Sequence, residues 1–212
     1  MGLVHATADI VPTKQELVEA WLPSRPWAAG ATEVKVLAGF RFDDPEGEVG
    51  VETIVWRTPD DVLLQVPLTY RGAPLDGAEE HLIGTMEHTV LGARWVYDAC
   101  GDPVWAAALA TAILTGGTQA QVVAERDGEL IELPARLPVL GSGSPGAAVP
   151  TITAVDSVAD SVTDDGAVTR VVAGGVTLSL ARVVGTPLPG EATLTGSTAD
   201  RDLGVLAALT TT

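Results

Sequence analysis

The spacing of apolar and polar residues predicts an α+β chain in which antiparallel strands follow a short first helix. Apolar residues recur at helical spacing in residues 14–22, directly after Thr13 and Glu16, which have the spacing of a capping box. From about residue 34 the period changes to two, which is typical of half-buried strands. We predict three consecutive strands joined by short turns, an antiparallel meander, at residues 34–42, 49–57 and 62–70.

The same alternation predicts which side chains share a face of the sheet. In the first strand it places Val36 together with Ala38 and Phe40. In the third strand Pro67 has no N–H to donate to a neighbouring strand. We therefore expect the third strand to lie at an edge of the sheet or to carry a bulge.

Two further strands and a second helix complete the first half of the chain. The strands are predicted at residues 81–88 and 94–98. Asp102 and Pro103 then give a strong helix start, and Gly116 ends the helix. Alanine fills most positions of this helix that are not otherwise apolar, so we expect other elements to approach it closely from several sides.

The second half of the chain reads as a series of β-hairpins. Two-residue turns are predicted at Asp127–Gly128, Asp165–Gly166 and Gly174–Gly175. Residues 141–150 are rich in Gly, Ser and Pro and are predicted to form a flexible loop. We place a domain boundary between residues 1–117 and 118–212. Because both helices fall in the first part, we expect that part to carry its own core.

Composition and charge exclude several classes of function. The net charge of -16 repels phosphate backbones and anionic membranes, so we expect neither a nucleic-acid partner nor a membrane partner. A single cysteine, Cys100, allows no internal disulfide and no cysteine-rich zinc site. No secretory signal pattern is found at the N-terminus, which predicts a cytoplasmic protein. Two lysines and no asparagine are typical of a GC-rich genome, such as that of an actinobacterium.

The residues that most often carry chemistry do not form a recognisable catalytic or metal-binding pattern. His81 and His88 each follow a glutamate, but a separation of seven fits no familiar set of metal ligands. Cys100 has no basic partner nearby in the sequence. We therefore expect no catalytic residue, no metal and no cofactor.

A mixed group of guanidinium, aromatic and neighbouring polar residues is the candidate binding site. Such residue types are enriched at binding surfaces. The alternative is that the aromatic side chains lie in the core and the arginines pair with acidic residues. If the surface exists, the acidic surroundings suit a protein partner or a sugar better than a phosphate. The candidate residues are Tyr70, Arg71, Glu87, His88, Arg94, Trp95 and Tyr97.

Several long segments of the first half resemble the N-terminal cap domain of maltokinases. The resemblance covers about residues 1–115 and implies a cystatin-like fold, in which a curved antiparallel sheet holds a helix. Maltokinases phosphorylate maltose at the expense of ATP, and their cap precedes a kinase-like N-lobe. The segments that carry the resemblance are residues 42–52, 66–75, 84–92 and 94–98.

Kinase chemistry itself is not expected of these residues. Phosphoryl transfer of this type uses a lysine on the nucleotide phosphates and Asp and Asn residues on the metal. The sequence has no lysine after Lys35, no asparagine and no Asp-Phe-Gly motif. We expect a non-catalytic binding or scaffolding protein that modulates an enzyme of the maltose or glucan pathway. An accessory subunit that completes a kinase or transferase site in trans and a small-molecule-binding module are the alternatives. A homo-oligomer is compatible with each.

Overall fold

The computed structural model describes residues 2–4, 9–126 and 129–211. Helix α1 spans Lys14–Trp21 and helix α2 spans Pro103–Thr115. Most other elements are strands, and they pair mainly in antiparallel fashion, which confirms the predicted α+β class. The predicted turn at Asp127–Gly128 lies outside the described residues.

The strands are, in chain order, β1 (Gly2–Val4), β2 (Ile10–Val11), β3 (Lys35–Phe42), β4 (Gly50–Arg57), β5 (Leu63–Arg71), β6 (Leu82–His88), β7 (Gly92–Asp98), β8 (Val122–Arg126), β9 (Glu129–Leu133), β10 (Val139–Gly141), β11 (Ser157–Thr163), β12 (Gly166–Ala173), β13 (Val176–Ala181), β14 (Ala192–Ser197) and β15 (Asp202–Thr211). They form a cap sheet with the order β2-β6-β7-β5-β4-β3 and a second six-stranded sheet with the order β10-β14-β15-β13-β12-β11. A small third sheet joins β1, β8 and β9, with β1 parallel to β8.

Helix α1 begins at the predicted capping box. The Thr13 hydroxyl accepts a hydrogen bond from the Glu16 amide, and the Glu16 carboxylate accepts one from the Thr13 amide. Val18 and Trp21 turn towards one face of the cap sheet, where they join a buried apolar cluster. The curved cap sheet thus holds α1 against one of its faces.

Strand β3 departs from simple alternation near its start. The pairing with β4 shifts between Val36 and Ala38, which is the mark of a β-bulge. Ala38 and Phe40 are buried as predicted, but Val36 is 48% exposed. The prediction that Val36 shares their buried face is therefore wrong, because the extra residue changes the register at this point.

The prediction that the strand of Pro67 lies at a sheet edge or carries a bulge is wrong. Strand β5 is central, with β4 on one side, and Pro67 lies opposite Thr53 of β4. On the other side of β5, Leu63 and Gln65 bond to a segment of the second half, and pairing with β7 begins only at Leu68. Pro67 lies between the segment of the second half and the start of the pairing with β7. Its missing N–H therefore removes no hydrogen bond from a strand pair.

Helix α2 lies between the cap sheet and the second sheet. Its side chains belong to one buried cluster with residues of both sheets, among them Phe40 of β3, Leu194 of β14 and Leu206 of β15. The small alanine side chains allow this close approach from two sides, as the sequence predicted. The domain boundary at residues 117 and 118 stays a prediction, but the shared helix argues against independent folding of the first part.

The Gly-rich segment after β10 is tied to the C-terminus of α2. The amides of Gly143 and Ser144 donate to the carbonyl oxygens of Ile113 and Leu114, at 2.9 Å and 3.0 Å. A Cβ atom at Gly143 would overlap the carbonyl oxygen of Leu114. Glycine is needed here because the two backbones touch. The predicted flexibility stays a prediction for the rest of residues 141–150.

A buried guanidinium group, that of Arg182, joins the two halves of the chain. Its Nη2 donates to the Asp98 carboxylate and, at 3.2 Å, to the Cys100 sulfur, while its Nε donates to the Thr169 hydroxyl at 2.6 Å. The guanidinium also lies 4.5 Å from the centre of the Trp27 ring. The side chain is 1% exposed, so these partners replace most of its hydration, although its Nη1 atom has no hydrogen-bond partner among the described residues.

Replacing Arg182 by Met should strongly destabilise the fold. The Asp98 carboxylate would remain buried without its cation, which costs about 3–5 kcal/mol of the free energy of unfolding. Urea denaturation followed by tryptophan fluorescence measures this loss. The matched control is Arg170→Met on the exposed side of β12, which should change stability by less than about 0.5 kcal/mol. Equal losses in the two variants would show that the junction does not depend on this charge.

A truncated chain ending at Gly117 tests whether the first part can fold when the second sheet no longer covers α2. It would expose the side of α2 that the second sheet covers, so we expect broad, non-cooperative thermal unfolding and binding of a hydrophobic dye. Calorimetry of the truncated and full chains gives the comparison. A sharp transition in the truncated chain would instead support the boundary predicted from the sequence.

Candidate functional site

The seven predicted site residues do not form one surface, because side chains alternate across the cap sheet. Arg71 pairs with Trp95, and Tyr70 pairs with Val96. These registers place two groups on opposite faces. The face towards α2 carries Arg71, Glu87, Trp95 and Tyr97, and the face towards α1 carries Tyr70, His88 and Arg94.

Two residues of the first group support the fold. The Arg71 guanidinium makes two 2.7 Å hydrogen bonds to the Asp102 carboxylate. Asp102 also caps helix α2 by accepting a bond from the Val104 amide. The Tyr97 hydroxyl accepts a 2.8 Å hydrogen bond from the Leu75 amide and so holds the loop after β5. Arg71 and Tyr97 therefore match the structural alternative stated for them above.

The remaining predicted residues lie nearer the surface. Trp95 is half-buried and Glu87 is exposed. The Nδ1 atom of His88 accepts 3.2 Å hydrogen bonds from the amides of Val90 and Leu91, which stabilises the turn between β6 and β7. His88 thus has a local structural role, although it also borders the cleft described next.

A polar cluster stands on the α1 face of the cap sheet. Lys14, the first residue of α1, bonds through its ammonium group to the Glu52 carboxylate of β4. The Tyr70 hydroxyl donates a 2.7 Å hydrogen bond to the same carboxylate oxygen, and the ammonium lies 5.0 Å from the centre of the Tyr70 ring. Arg41 pairs with Glu52 across β3 and β4. The cluster brings two cations, one carboxylate and one phenol together.

Burial and charge shift the pKa values of two members of this cluster. Burial alone would raise the pKa of Glu52, but Lys14, Arg41 and two hydrogen bonds outweigh it, so the pKa lies below its ordinary value. Burial, followed by the adjacent Glu52 carboxylate, raises the pKa of Tyr70 well above 10.0. At neutral pH the carboxylate is ionised and the phenol keeps its proton.

An open cleft of about 1160 Å³ surrounds the cluster. Its apolar lining includes Ile54 and Met86 of the cap sheet and Leu91 of the β6–β7 turn, and segments before β8 and after β9 complete it. Charged side chains such as Asp43, Glu48 and Glu132 lie among these apolar ones, and concave sites that combine apolar area with polar groups are typical of small-molecule sites. The cleft is thus the best candidate binding site in the part of the chain that the structure describes.

The sequence reasoning missed three of the cleft's charged residues, Lys14, Arg41 and Glu52. Pairing the predicted strands around the turn at residues 43–47 places Arg41 opposite Glu52, so one signal was present. No local signal in the sequence pointed to Lys14, because Lys14 and Glu52 are 38 positions apart.

Other sites of chemistry are not supported by the described residues. Burial raises the pKa of the Cys100 thiol well above 9.0, which keeps it neutral and unreactive. Among residues 2–4, 9–126 and 129–211, no group of three His, Cys, Asp or Glu side chains is arranged to hold a metal ion. Within the same residues, neither helix has the length and apolar character needed to cross a bilayer.

The ion pair between Lys14 and Glu52 should make the free energy of unfolding depend on pH. Because its pKa is lowered by folding, the ionised carboxylate stabilises the fold above about pH 4.5 and loses this effect as pH falls through the folded-state pKa. The difference in unfolding free energy between the wild type and Glu52→Gln should therefore shrink below pH 4.5. Urea denaturation between pH 3 and pH 7 measures it, with exposed Glu87→Gln as control. A difference independent of pH would contradict the assignment.

Comparison with known proteins identifies one segment of the chain. Residues 21–102 match the family model of the maltokinase N-terminal cap domain. This segment, less than half of the chain, includes strands β3 to β7 and the cleft residues Arg41, Glu52, Tyr70 and Arg94, while Lys14 lies before it. No curated protein matches the chain. The resemblance seen in the sequence is thereby confirmed, and the family to which residues 21–102 point is that of maltokinase N-terminal cap domains.

Proposed function

We propose that this chain is a non-catalytic, cytoplasmic binding protein that modulates an enzyme of maltose or glucan metabolism and holds a carbohydrate in its cleft. The match to the maltokinase cap supports the pathway. The lack of any lysine after Lys35 and of any asparagine supports a non-catalytic role.

One observation carries the proposal: the Lys14–Glu52–Tyr70 cluster opens onto the cleft instead of being closed over by the fold. Ammonium, carboxylate and phenol groups donate and accept hydrogen bonds with sugar hydroxyls, and an aromatic ring packs on the apolar face of a sugar. The cleft has the mixed apolar and polar lining that favours the small-molecule-binding alternative raised by the sequence.

The same geometry favours binding over acid–base catalysis. A general base works best when its pKa lies near the working pH, and the pKa of Glu52 is shifted away from neutrality. The pKa of Tyr70 is shifted away from neutrality in the other direction. Both groups are therefore poor proton carriers at pH 7, whereas both remain able to hold hydroxyl groups.

A protein partner is favoured by a separate feature, at the rim of the cleft. Val90 and Leu91, at the tip of the β6–β7 turn, are 56% and 46% exposed, and Val11 of the adjoining β2 is exposed too. Exposed apolar side chains next to a ligand site suit a partner that responds to the bound ligand. This feature supports the second candidate function, an accessory subunit that acts on a pathway enzyme in trans.

Isothermal titration with maltose and maltotriose tests the carbohydrate site. Tyr70→Phe and Glu52→Gln each remove a hydrogen-bonding group from the cleft, so each should weaken binding about tenfold. Glu87→Gln, on the opposite face of β6, should leave the affinity unchanged. Thermal melting of each variant separates loss of binding from loss of fold. Absence of binding to both sugars at millimolar concentration would overturn the carbohydrate assignment.

A further inference from the structure

Strand β9 is an exposed sheet edge that carries three large apolar side chains. It lies at one end of the small third sheet, whose strand order is β1-β8-β9. All of its residues, Glu129–Leu133, are exposed. Leu130, Ile131 and Leu133 are 59%, 42% and 42% exposed. An exposed apolar edge of this kind is a template for pairing with another chain.

The backbone of β9 also has hydrogen-bonding groups to offer. Its inner side pairs with β8 along its whole length, from Glu129 opposite Arg126 to Leu133 opposite Val122. In an antiparallel pair every second residue turns its N–H and C=O away from the neighbouring strand. No described segment of the chain bonds to that outer side of β9. A further strand can therefore extend the sheet at this edge.

The other sheet edges in the described part of the chain are protected against such pairing. Strands β1 and β2 have only three and two residues. Strand β3 has a bulge near Val36, and its Arg41 carbonyl oxygen accepts a hydrogen bond from the Ala120 amide. Strand β10 is bridged by Thr118, and β11 carries the charged Asp160 at its centre. Short length, bulges, covering segments and charges are the usual protections of an edge, so β9 is the edge best suited to a partner strand.

The sequence of β9 is complementary to itself in one antiparallel register. When two copies of the strand pair about a two-fold axis at Ile131, all five residues of each copy find a partner. Each glutamate then lies opposite a leucine of the other copy, Glu129 opposite Leu133 and Glu132 opposite Leu130. An axis at Glu132 would place two carboxylates opposite each other, which is destabilising. An axis at Leu130 would leave Glu132 and Leu133 without a partner in the strand.

The charge of the chain makes this pairing weak without preventing it. The net charge of -16 opposes association of two copies, but salt screens charges that lie more than about 10 Å apart at 0.1 M ionic strength. Within the paired strands, the Glu132 residues of the two copies are diagonal neighbours, about 7–8 Å apart. Their mutual repulsion is therefore a specific mark of this register, and it can be removed by mutation.

We propose that two copies of this chain associate through β9, which pairs with β9 of the second copy about a two-fold axis at Ile131. The two three-stranded sheets then become one continuous sheet. Because Leu133 lines the cleft, Glu129 of the second copy comes to lie beside the cleft. The inference goes beyond the proposed function and holds whether or not the cleft binds a carbohydrate. Interfaces smaller than about 1,200 Å² are typical of weak complexes, so for one short strand pair we expect a dissociation constant on the order of 10–100 μM.

Sedimentation velocity of the full chain from about 1 μM to about 1 mM, a range that spans this dissociation constant, tests the dimer. Ile131→Lys places two like charges opposite each other at the axis and should weaken the association about tenfold or more. Glu132→Gln removes the repulsion between diagonal neighbours and should strengthen the association. The matched controls are Val162→Lys on the exposed β11 and Glu87→Gln on β6, and both should leave the association unchanged.

Each outcome decides for or against the dimer. A chain that stays monomeric at the highest concentration would leave β9 to a different protein and would overturn the inference. A dimer that Ile131→Lys does not weaken, or that Val162→Lys weakens equally, forms through another surface and would overturn it too. Melting temperatures show whether Ile131→Lys acts on association or on folding. The gain expected for Glu132→Gln cannot arise from unfolding, so it tests the register independently.

Discussion

The buried guanidinium of Arg182 is the constraint on which the arrangement of the two sheets depends. Arg182 follows β13 in the second sheet, yet its carboxylate partner, Asp98, ends strand β7 of the cap sheet. A buried charge has few places where it is stable, so this pair fixes where the second sheet meets the cap. The backbone makes a second contact between the two halves at the same place, where the Gln65 amide donates to the Arg182 carbonyl oxygen at 2.8 Å. Side chain and backbone together set one register between the halves.

Helix α2 is held by the same constraint and in turn decides which face of the cap sheet is free. Asp98 caps the short turn at Ala99–Gly101, and α2 starts directly after it, with Asp102 tied to Arg71. The second sheet then covers the far side of α2. The α2 face of the cap sheet is therefore used for folding. The α1 face is covered only in part, by α1, by residues such as Trp27 after it and by Ala167 of the second half, and it keeps an open cleft with its charged residues.

The sequence predicted elements better than it predicted the site, for a physical reason. Helix starts at Thr13 and Asp102 depend on bonds within a few residues, so local composition reveals them. The hairpin turn at Gly174–Gly175 is equally local, whereas the turn predicted at Asp165–Gly166 lies one residue earlier, at Asp164–Asp165. The bulge near Val36 and the central position of β5 depend on neighbours that are distant in sequence, and both were missed.

The candidate site was only partly predictable because residues that are adjacent in the sequence were treated as adjacent in space. Tyr70 and Arg71 follow each other, and the alternation of a strand alone assigns them to opposite faces. This rule separates Tyr70 from Arg71 and Arg94 from Trp95, but grouping Tyr70 with Arg94 also needs the register between β5 and β7, which local sequence does not give. Nothing local could have placed Arg182 beside Asp98, since 84 positions separate them.

The distribution of the few cations links stability to the proposed binding. Arg71 and Arg182 neutralise the two carboxylates that directly precede α2, those of Asp102 and Asp98, so both cations stabilise the packed side of the cap sheet. Lys14 lies on the open face, where its ammonium group pairs with the Glu52 carboxylate. Arg41 adds a second cation beside Glu52, and Arg94 lines the same cleft, so the cations of the open face lie around the proposed binding site while those of the packed face stabilise the fold.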